Sequence, residues 1–314
     1  VVPWPHGPTG VLCALALTTL VGWHALRWRE SSATVRAWSV SSVLFFAAVV
    51  VAPPHPFERT WPPLGWRMVA CDVGQGDATV LHVAKHSAIV IDAGGEATAV
   101  DRCLKALHVK QIPLLVLSHF HADHVGGIEG VLHRRSIGQV LVSPLKDPPM
   151  MQSYVQQVLH ERGITSREMT FPGQVEVDGI VLRCLWPDRL LHGPGSAANN
   201  ASVVLRTQID GITYLLTGDV EPPAQEALLA SVGPVDVLKV PHHGSPYQSP
   251  QFAARVRPRI ATISVGADND YGHPAPATIA MYEAMGTTVL RTDLVGDIAV
   301  VWRDGRLVAV GRHT

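Results

Sequence analysis

Apolar and polar positions fall into two regimes along the chain. Residues 11–26 (VLCALALTTLVGWHAL) and 37–52 (AWSVSSVLFFAAVVVA) are uncharged, largely apolar runs of sixteen residues each. A membrane-spanning helix takes about 20 residues, with ~17 as the usual lower limit, and Thr9 and Gly10 supply most of the shortfall in the first run. Trp23, Trp28 and Trp38 stand near the run ends, where indole favours the headgroup layer. The pattern predicts two transmembrane helices within residues 1–52. The alternative is a helical hairpin buried in a soluble core. No basic segment precedes the first run and no small-residue cleavage site follows it, so a signal peptide does not fit. The loop RWRESSATVR carries three arginines and one glutamate. Positive charge marks the cytoplasmic side, which puts everything after Ala52 outside. The chain does not begin with Met, and the expectation is a piece of a longer membrane protein. Pro53, Pro54, Pro56, Pro62 and Pro63 then make residues 53–66 a stiff, extended linker.

From Arg67 onward the period changes. RMVACDV, DATVLHV, SAIVIDA, LLVLS, GQVLVS, IVLRCLW, ASVVLRT, ITYLLTG, VDVLKVP, RIATISV, DIAVVW and LVAV are short apolar runs bounded by Gly, Asp or Pro, as strands are. TAVDRCLKALHV has the spacing of an amphipathic helix. Further helices are predicted over 124–134, 150–162, 222–231, 249–257 and 276–285. Mixed strands and helices over residues 67–314 predict one layered α/β domain with covered sheets.

Composition narrows the reading. Charged residues make up 16% of the chain and the net charge is −1, against ~25% charged in an ordinary soluble domain. A disordered chain and a uniformly basic nucleic-acid coat protein are both excluded. Residues 67–314 carry 21 Lys+Arg and 24 Asp+Glu. Any nucleic-acid affinity must therefore come from local features, with Arg134, Arg135, Arg255, Arg257 and Arg259 as candidates beside the plainer reading of ordinary surface. Four cysteines (13, 71, 103 and 184) show neither CxxC pairing nor metal spacing. Buried free thiols are expected. A Cys71–Cys103 or Cys103–Cys184 bridge is the alternative if the domain lies outside the cell.

The chemistry-bearing residues are histidines. Ser118-His119-Phe120-His121-Ala122-Asp123-His124-Val125-Gly126-Gly127 follows the apolar run LLVLS directly. Three imidazoles and a carboxylate within six residues are the preferred ligands of zinc-like ions. Downstream, LLTGD ends a strand on Asp219, and VLKVPHHGS ends another on His242 and His243. Together these supply the ligands of a site for one or two cations, which would activate a water and clamp the oxygens of a displacement.

HFHADH, the upstream IDAGG with Asp92, TGD and HHGS, in this order, resemble the metallo-β-lactamase fold. More narrowly, MVACDVGQGDATVL, VIDAGG, LSHFHADHVGGI, NNASVVL, YLLTGD, DVLKVPHHGS and NDYGHPAP resemble the C-terminal domain of the ComEC-type competence family, whose members carry DNA across the membrane. The resemblance implies an αββα sandwich preceded by the end of a membrane channel. It implies a metal-dependent, extracytoplasmic nuclease domain that degrades the strand not imported, with DNA, membrane and other competence proteins as partners.

Carried over, the metal ligands are His119, His121, Asp123, His124 and Asp219, with His242 or His243, binding Mn²⁺ or Zn²⁺. Asp123, His243 and His273 are the catalytic candidates, the two histidines as proton donors or phosphate contacts. Asp92, Asn200, Ser202, Lys239 and Ser245 are expected to position ligands or meet substrate; Lys239 could equally be solvated, and Ser245 could cap the following helix. Gly74-Gln75-Gly76-Asp77 reads as a turn near the site. The general lactamase pattern has one more histidine before the bridging aspartate. Here that stretch holds only His133, His160 and His192, and Asn200 or Ser202 is expected in its place. Rival readings are a hydrolase of another phosphoester or ester, or a non-catalytic domain that binds DNA or braces the channel.

Overall fold

Fifteen strands between Trp66 and Gly311 assemble into two sheets. The computed structural model describes residues 61–303 and 305–313, with Thr18, Thr19, Trp23 and Ser32. The two apolar runs predicted to cross a membrane, and most of the proline linker, lie outside these residues. No helix among the described residues is long and apolar enough to cross a membrane. The strands and the candidate site all belong to one compact unit, Trp61–Thr314.

The strands are β1 (Trp66–Ala70), β2 (Thr79–Ala84), β3 (Ser87–Ile91), β4 (Gln111–Leu117), β5 (Ser136–Val142), β6 (Ser166–Glu168), β7 (Gly173–Val177), β8 (Ile180–Trp186), β9 (Val204–Ile209), β10 (Ile212–Leu216), β11 (Val237–Lys239), β12 (Ile260–Ile263), β13 (Thr288–Arg291), β14 (Ile298–Arg303) and β15 (Arg306–Gly311). The helices are α1 (Ala97–Ala106), α2 (Ala122–Val125), α3 (Ile128–Leu132), α4 (Pro149–Glu161), α5 (Ala197–Asn200), α6 (Pro222–Ala227), α7 (Pro250–Val256), α8 (Pro276–Ala284) and α9 (Thr292–Val295). The first sheet runs β15-β14-β1-β2-β3-β4-β5-β6 and the second β13-β12-β11-β10-β9-β8-β7. In each, an antiparallel half passes into a parallel half: β3 to β6 in the first and β10 to β13 in the second.

Three apolar layers explain why the runs are legible. Met68, Leu81, Ile89, Leu114, Leu182, Leu205 and Tyr214 meet between the sheets. Val90, Val100, Leu104, Leu115 and Ile128 join the outer face of the first sheet to its helices. Leu215, Leu228, Leu238, Phe252 and Tyr282 do the same for the second. A strand covered on both faces reads as a continuous apolar run, and SAIVI of β3 is wholly buried. Four layers, helix–sheet–sheet–helix, give the αββα sandwich.

The structure departs from the sequence reading in three places. The helix expected over 124–134 divides into α2 and α3 at Gly126–Gly127. A Cβ at Gly127 would stand 2.2 Å from the Ala93 carbonyl oxygen, and one at Gly126 would stand 2.7 Å from that of Gly95. The glycines thus let the turn press against the IDAGG loop. Cys71 and Cys103 form a disulfide, with Cα atoms 5.9 Å apart, so the free-thiol reading is corrected for this pair. The amphipathic face of α1 lays Cys103 over the end of β1, a contact that a separation of 32 residues hides. Cys184 is a free buried thiol. Arg135 is no surface contact: its buried guanidinium donates to Asp101 (2.9 Å) and to the carbonyls of Gly130 and Val109.

Candidate metal centre

The site lies where the parallel strands of both sheets end. β3 delivers Asp92, β4 delivers Ser118 to His124, β10 delivers Asp219, and β11 delivers His242 and His243. Strand C-termini leave their loops free to turn inward while the sheets fix the roots.

Partners that can only accept hydrogen bonds fix the imidazole tautomers. His243 Nδ1 donates to the Ser264 carbonyl oxygen at 2.8 Å, so the neutral ring presents an Nε2 lone pair. His124 Nδ1 is 2.9 Å from Asp92 Oδ2, with the same result. Asp92 also accepts from the Ser118 N–H (2.6 Å) and hydroxyl (2.7 Å). With its proton so engaged, the Ser118 hydroxyl accepts from His119 Nδ1 at 3.1 Å. That turns His119 Nε2, which is buried and has no hydrogen-bond partner, into a third inward lone pair. One carboxylate thus orients two imidazoles, the arrangement that usually backs metal-binding histidines.

The Nε2 atoms of His124 and His243 are 3.3 Å apart, and each lies 3.2 Å from Asp219 Oδ2. Asp123 Oδ2 is 3.2 Å from His243 Nε2 and 3.8 Å from His124 Nε2. Two imidazole lone pairs and two carboxylates around one point are the donor set of a divalent cation.

The electrostatics match. Burial favours the neutral imidazole, but Asp219 and its fellow acids outweigh it, holding His124 well above its ordinary pKa and His243 at about 10. Burial likewise opposes ionisation of Asp123 and Asp219, yet the imidazoles hold both carboxyls below the usual range. Protons and a cation therefore compete for the same two Nε2 atoms. Burial and the neighbouring His124 push His119 down, keeping it neutral.

Residues 71–266 match the metallo-beta-lactamase superfamily model. The chain belongs to the metallo-beta-lactamase superfamily. It is 28% identical over 256 residues to ComE operon protein 3 of Bacillus subtilis (strain 168), an alignment covering 72% of this chain and 32% of that protein. It is 30% identical over 233 residues to competence protein ComA of Neisseria gonorrhoeae, covering 72% and 30%. The chain thus spans about a third of the length of these curated relatives. Among solved structures it is similar to Zn(2+)-bound PqqB from Methylobacterium extorquens, with a TM-score of 0.50 and 12% identity over 71% of this chain and 97% of that one. Metallo-beta-lactamase superfamily membership makes the domain a metal-dependent hydrolase with a site fitted to a divalent cation.

Not every residue singled out in the sequence joins this lactamase-type cluster. His121 is half-buried with its ring edge against His119. His243, not His242, enters the acid cluster. His242 Nε2 stays 4.0 Å from Asp219 while its Nδ1 lies 3.8 Å from Glu221. The two histidines diverge because both take left-handed backbone, with φ of 50° and 52°. Ser202 sits beside His119, its hydroxyl 3.3 Å from Nδ1, and accepts the Asp219 N–H. Asn200 instead caps the chain at Glu221 and Ala224 with its side-chain oxygen. His133, His160 and His192 lie on the surface. Ser245 is buried and accepts from the Tyr247 N–H; the cap of α7 is Ser249. His273 stands at the rim, 5.3 Å ring to ring from His242, and burial with the two histidines lowers its pKa to about 4.

Lys239 is fully enclosed rather than solvated. Its ammonium donates to the Gly218 carbonyl (2.8 Å) and Asp219 Oδ1 (3.2 Å) and pairs with Asp77. Asp77, which the sequence presents only as part of a turn, lies behind the two inward histidines, 3.7 Å from His124 Nδ1 and 3.8 Å from His243 Nδ1. One of its oxygens falls within 4.8 Å of a ligand atom each of His124, Asp219 and His243, but its approach to the two rings is on their Nδ1 side. A lysine inside an otherwise apolar strand is the one signal that asks for a buried acid partner. Glu221, which accepts from Ser196 N–H and Asn199 Nδ2, has no such signal.

Proposed function

We propose that this domain hydrolyses phosphodiester bonds of DNA, as the extracytoplasmic part of a competence-type membrane protein. The observation that carries the reading is the convergence of His124, His243 and Asp219 Oδ2 within 3.3 Å. Asp123, His124, Asp219 and His243 would hold a divalent cation, which when bound would supply activation of water and neutralisation of charge developing at phosphorus. Zn²⁺ or Mn²⁺ suits this mixed oxygen and nitrogen set.

The chain's own residues do the positioning. Lys239 occupies Asp219 Oδ1, so only Oδ2 faces the site. Asp92 and Ser264 hold the rings of His124 and His243 in the lone-pair-inward tautomer. The partly exposed Asp123 carboxylate is placed to orient an attacking water. His242 and His273, both held below the ordinary imidazole pKa, are neutral near pH 7 and suited to hydrogen-bonding a phosphate or leaving oxygen. The similarity to competence proteins supports DNA as substrate. The Cys71–Cys103 disulfide supports an oxidising compartment. The membrane runs and further competence partners belong to the same proposal.

The test is cleavage of DNA by the purified chain with Mn²⁺, Zn²⁺ or Mg²⁺, beside Asp219→Ala. Metal-dependent cleavage that the substitution abolishes is expected. A folded chain inert on DNA with every metal would overturn the reading.

A further inference from the structure

Tyr247 and Tyr271 are 63% and 72% exposed, whereas Tyr214 and Tyr282 are fully buried and Tyr154 is half-buried. The two exposed tyrosines are not scattered over the surface. Tyr247 follows the His242-His243 turn, and Tyr271 stands two residues before His273. Their loops are laced together: Ala275 N–H donates to the Gly244 carbonyl at 2.8 Å, and Thr278 Oγ1 donates to the Ser245 carbonyl at 2.8 Å. A Cβ on Gly244 would stand 2.7 Å from Pro274 Cβ.

Both backbones are pinned from below while the rings face water. Asn269 Nδ2 donates to the carbonyls of Gly266 (2.7 Å) and His273 (2.8 Å), and its oxygen accepts the His273 N–H. Gln248 Nε2 donates to the Pro241 and Ser245 carbonyls. Gly272, at φ +70°, makes the turn that lays the Tyr271 ring along His273, centroids 5.8 Å apart and planes at 29°. His273 is in turn 6.4 Å from His243, centroid to centroid, with the two ring planes near parallel at 23°. A graded row of flat rings therefore leads from the metal centre to solvent.

We propose that Tyr247 and Tyr271 form a stacking platform that holds unpaired bases of a single-stranded nucleic acid at the mouth of the site. The proposal rests on the phosphodiesterase reading and adds the form of the substrate. Every base has a π-face, so stacking on aromatic rings grips a strand without regard to sequence. In a duplex those faces are covered by neighbouring pairs. A rigidly mounted ring also spares the ordering cost that a mobile one would bring to binding. The domain's net negative charge makes such a non-electrostatic grip the more necessary.

The experiment measures binding of a fluorescently labelled single-stranded oligonucleotide, by anisotropy, to the full chain in EDTA. An abasic strand of equal length and a duplex serve as competitors. The expected result is a preference for the base-bearing single strand. Tyr271→Ala and Tyr247→Ala should each weaken it by about fivefold or more, Tyr271→Phe should keep it, and the abasic strand should be insensitive to all three. Equal binding of abasic and base-bearing strands, no binding of either, or alanine variants that bind as the parent does would overturn the platform. The two ideas fail separately. Base-dependent binding by a chain that cleaves no DNA would uphold the platform and sink the nuclease reading. Cleavage of single strands unchanged in both alanine variants would do the reverse.

Discussion

Asp92, just after β3, and His124, in the short helix α2 that follows β4, meet at 2.9 Å, carboxylate to Nδ1. Through Ser118 the same carboxylate also governs His119. Asp92→Asn presents an amide that can donate as well as accept, and the tautomers lose their single setting. Metal affinity is expected to fall about 10–100-fold, measured by titration against a competing chelator, with circular dichroism unchanged. Equal affinity would show that the rings are held by packing alone.

Metal uptake is expected to release protons and to tighten as pH rises. His243 is held at about 10, where burial opposes but Asp219 and Asp77 prevail, and ligation requires the deprotonated nitrogen. Calorimetry in buffers of different ionisation enthalpy reads the proton count directly. The same shift sets the stability of the chelator-stripped chain. A folded pKa above the unfolded value near 6.5 gives stability that is complete below about pH 6.5 and is lost as pH climbs toward 10. Denaturation midpoints across that window should fall without metal and fall less with it.

Lys239→Met removes the one ammonium between Asp77 and Asp219 and leaves two buried carboxylates without it. A loss of about 3–5 kcal/mol is expected in chemical denaturation. Adding Asp77→Asn should recover part of it, because one of the stranded charges is then gone. A double variant no better than the single would mean that the pair is not coupled in this way.

The Cys71–Cys103 bridge closes a loop of 32 residues, which the chain-entropy model values at roughly 3–4 kcal/mol. Cys103→Ser should lower the melting temperature of the domain, and dithiothreitol should then lower it no further. A variant as stable as the parent would remove the staple's importance.

Much of the fold is written in period and punctuation. The apolar runs of β1, β3 and β4 are legible because both of their faces are largely covered, and covered strands need no polar alternation. β6 and β13 carry no such signature, since SRE and TVLR are short and only partly buried and stand at sheet edges. The HFHADH cluster and Asp219 are legible because several ligand types at one strand end have no packing explanation. Asp77 and Glu221 are not, since an acid takes its role from what lies across the fold. The choice between His242 and His243 is also hidden. It depends on two left-handed residues in succession, which no neighbour in the sequence announces.

That dipeptide carries a consequence for descent. Each non-glycine residue in left-handed backbone costs of order 1 kcal/mol, and His242 and His243 have that conformation side by side. Glycine or asparagine there would relax the turn. Selection for a functioning site must keep opposing that relaxation. In a lineage that had given up the chemistry, position 242 would be freed first, whereas His243 is also held by its bond to the Ser264 carbonyl and its contacts with Asp123 and Asp219.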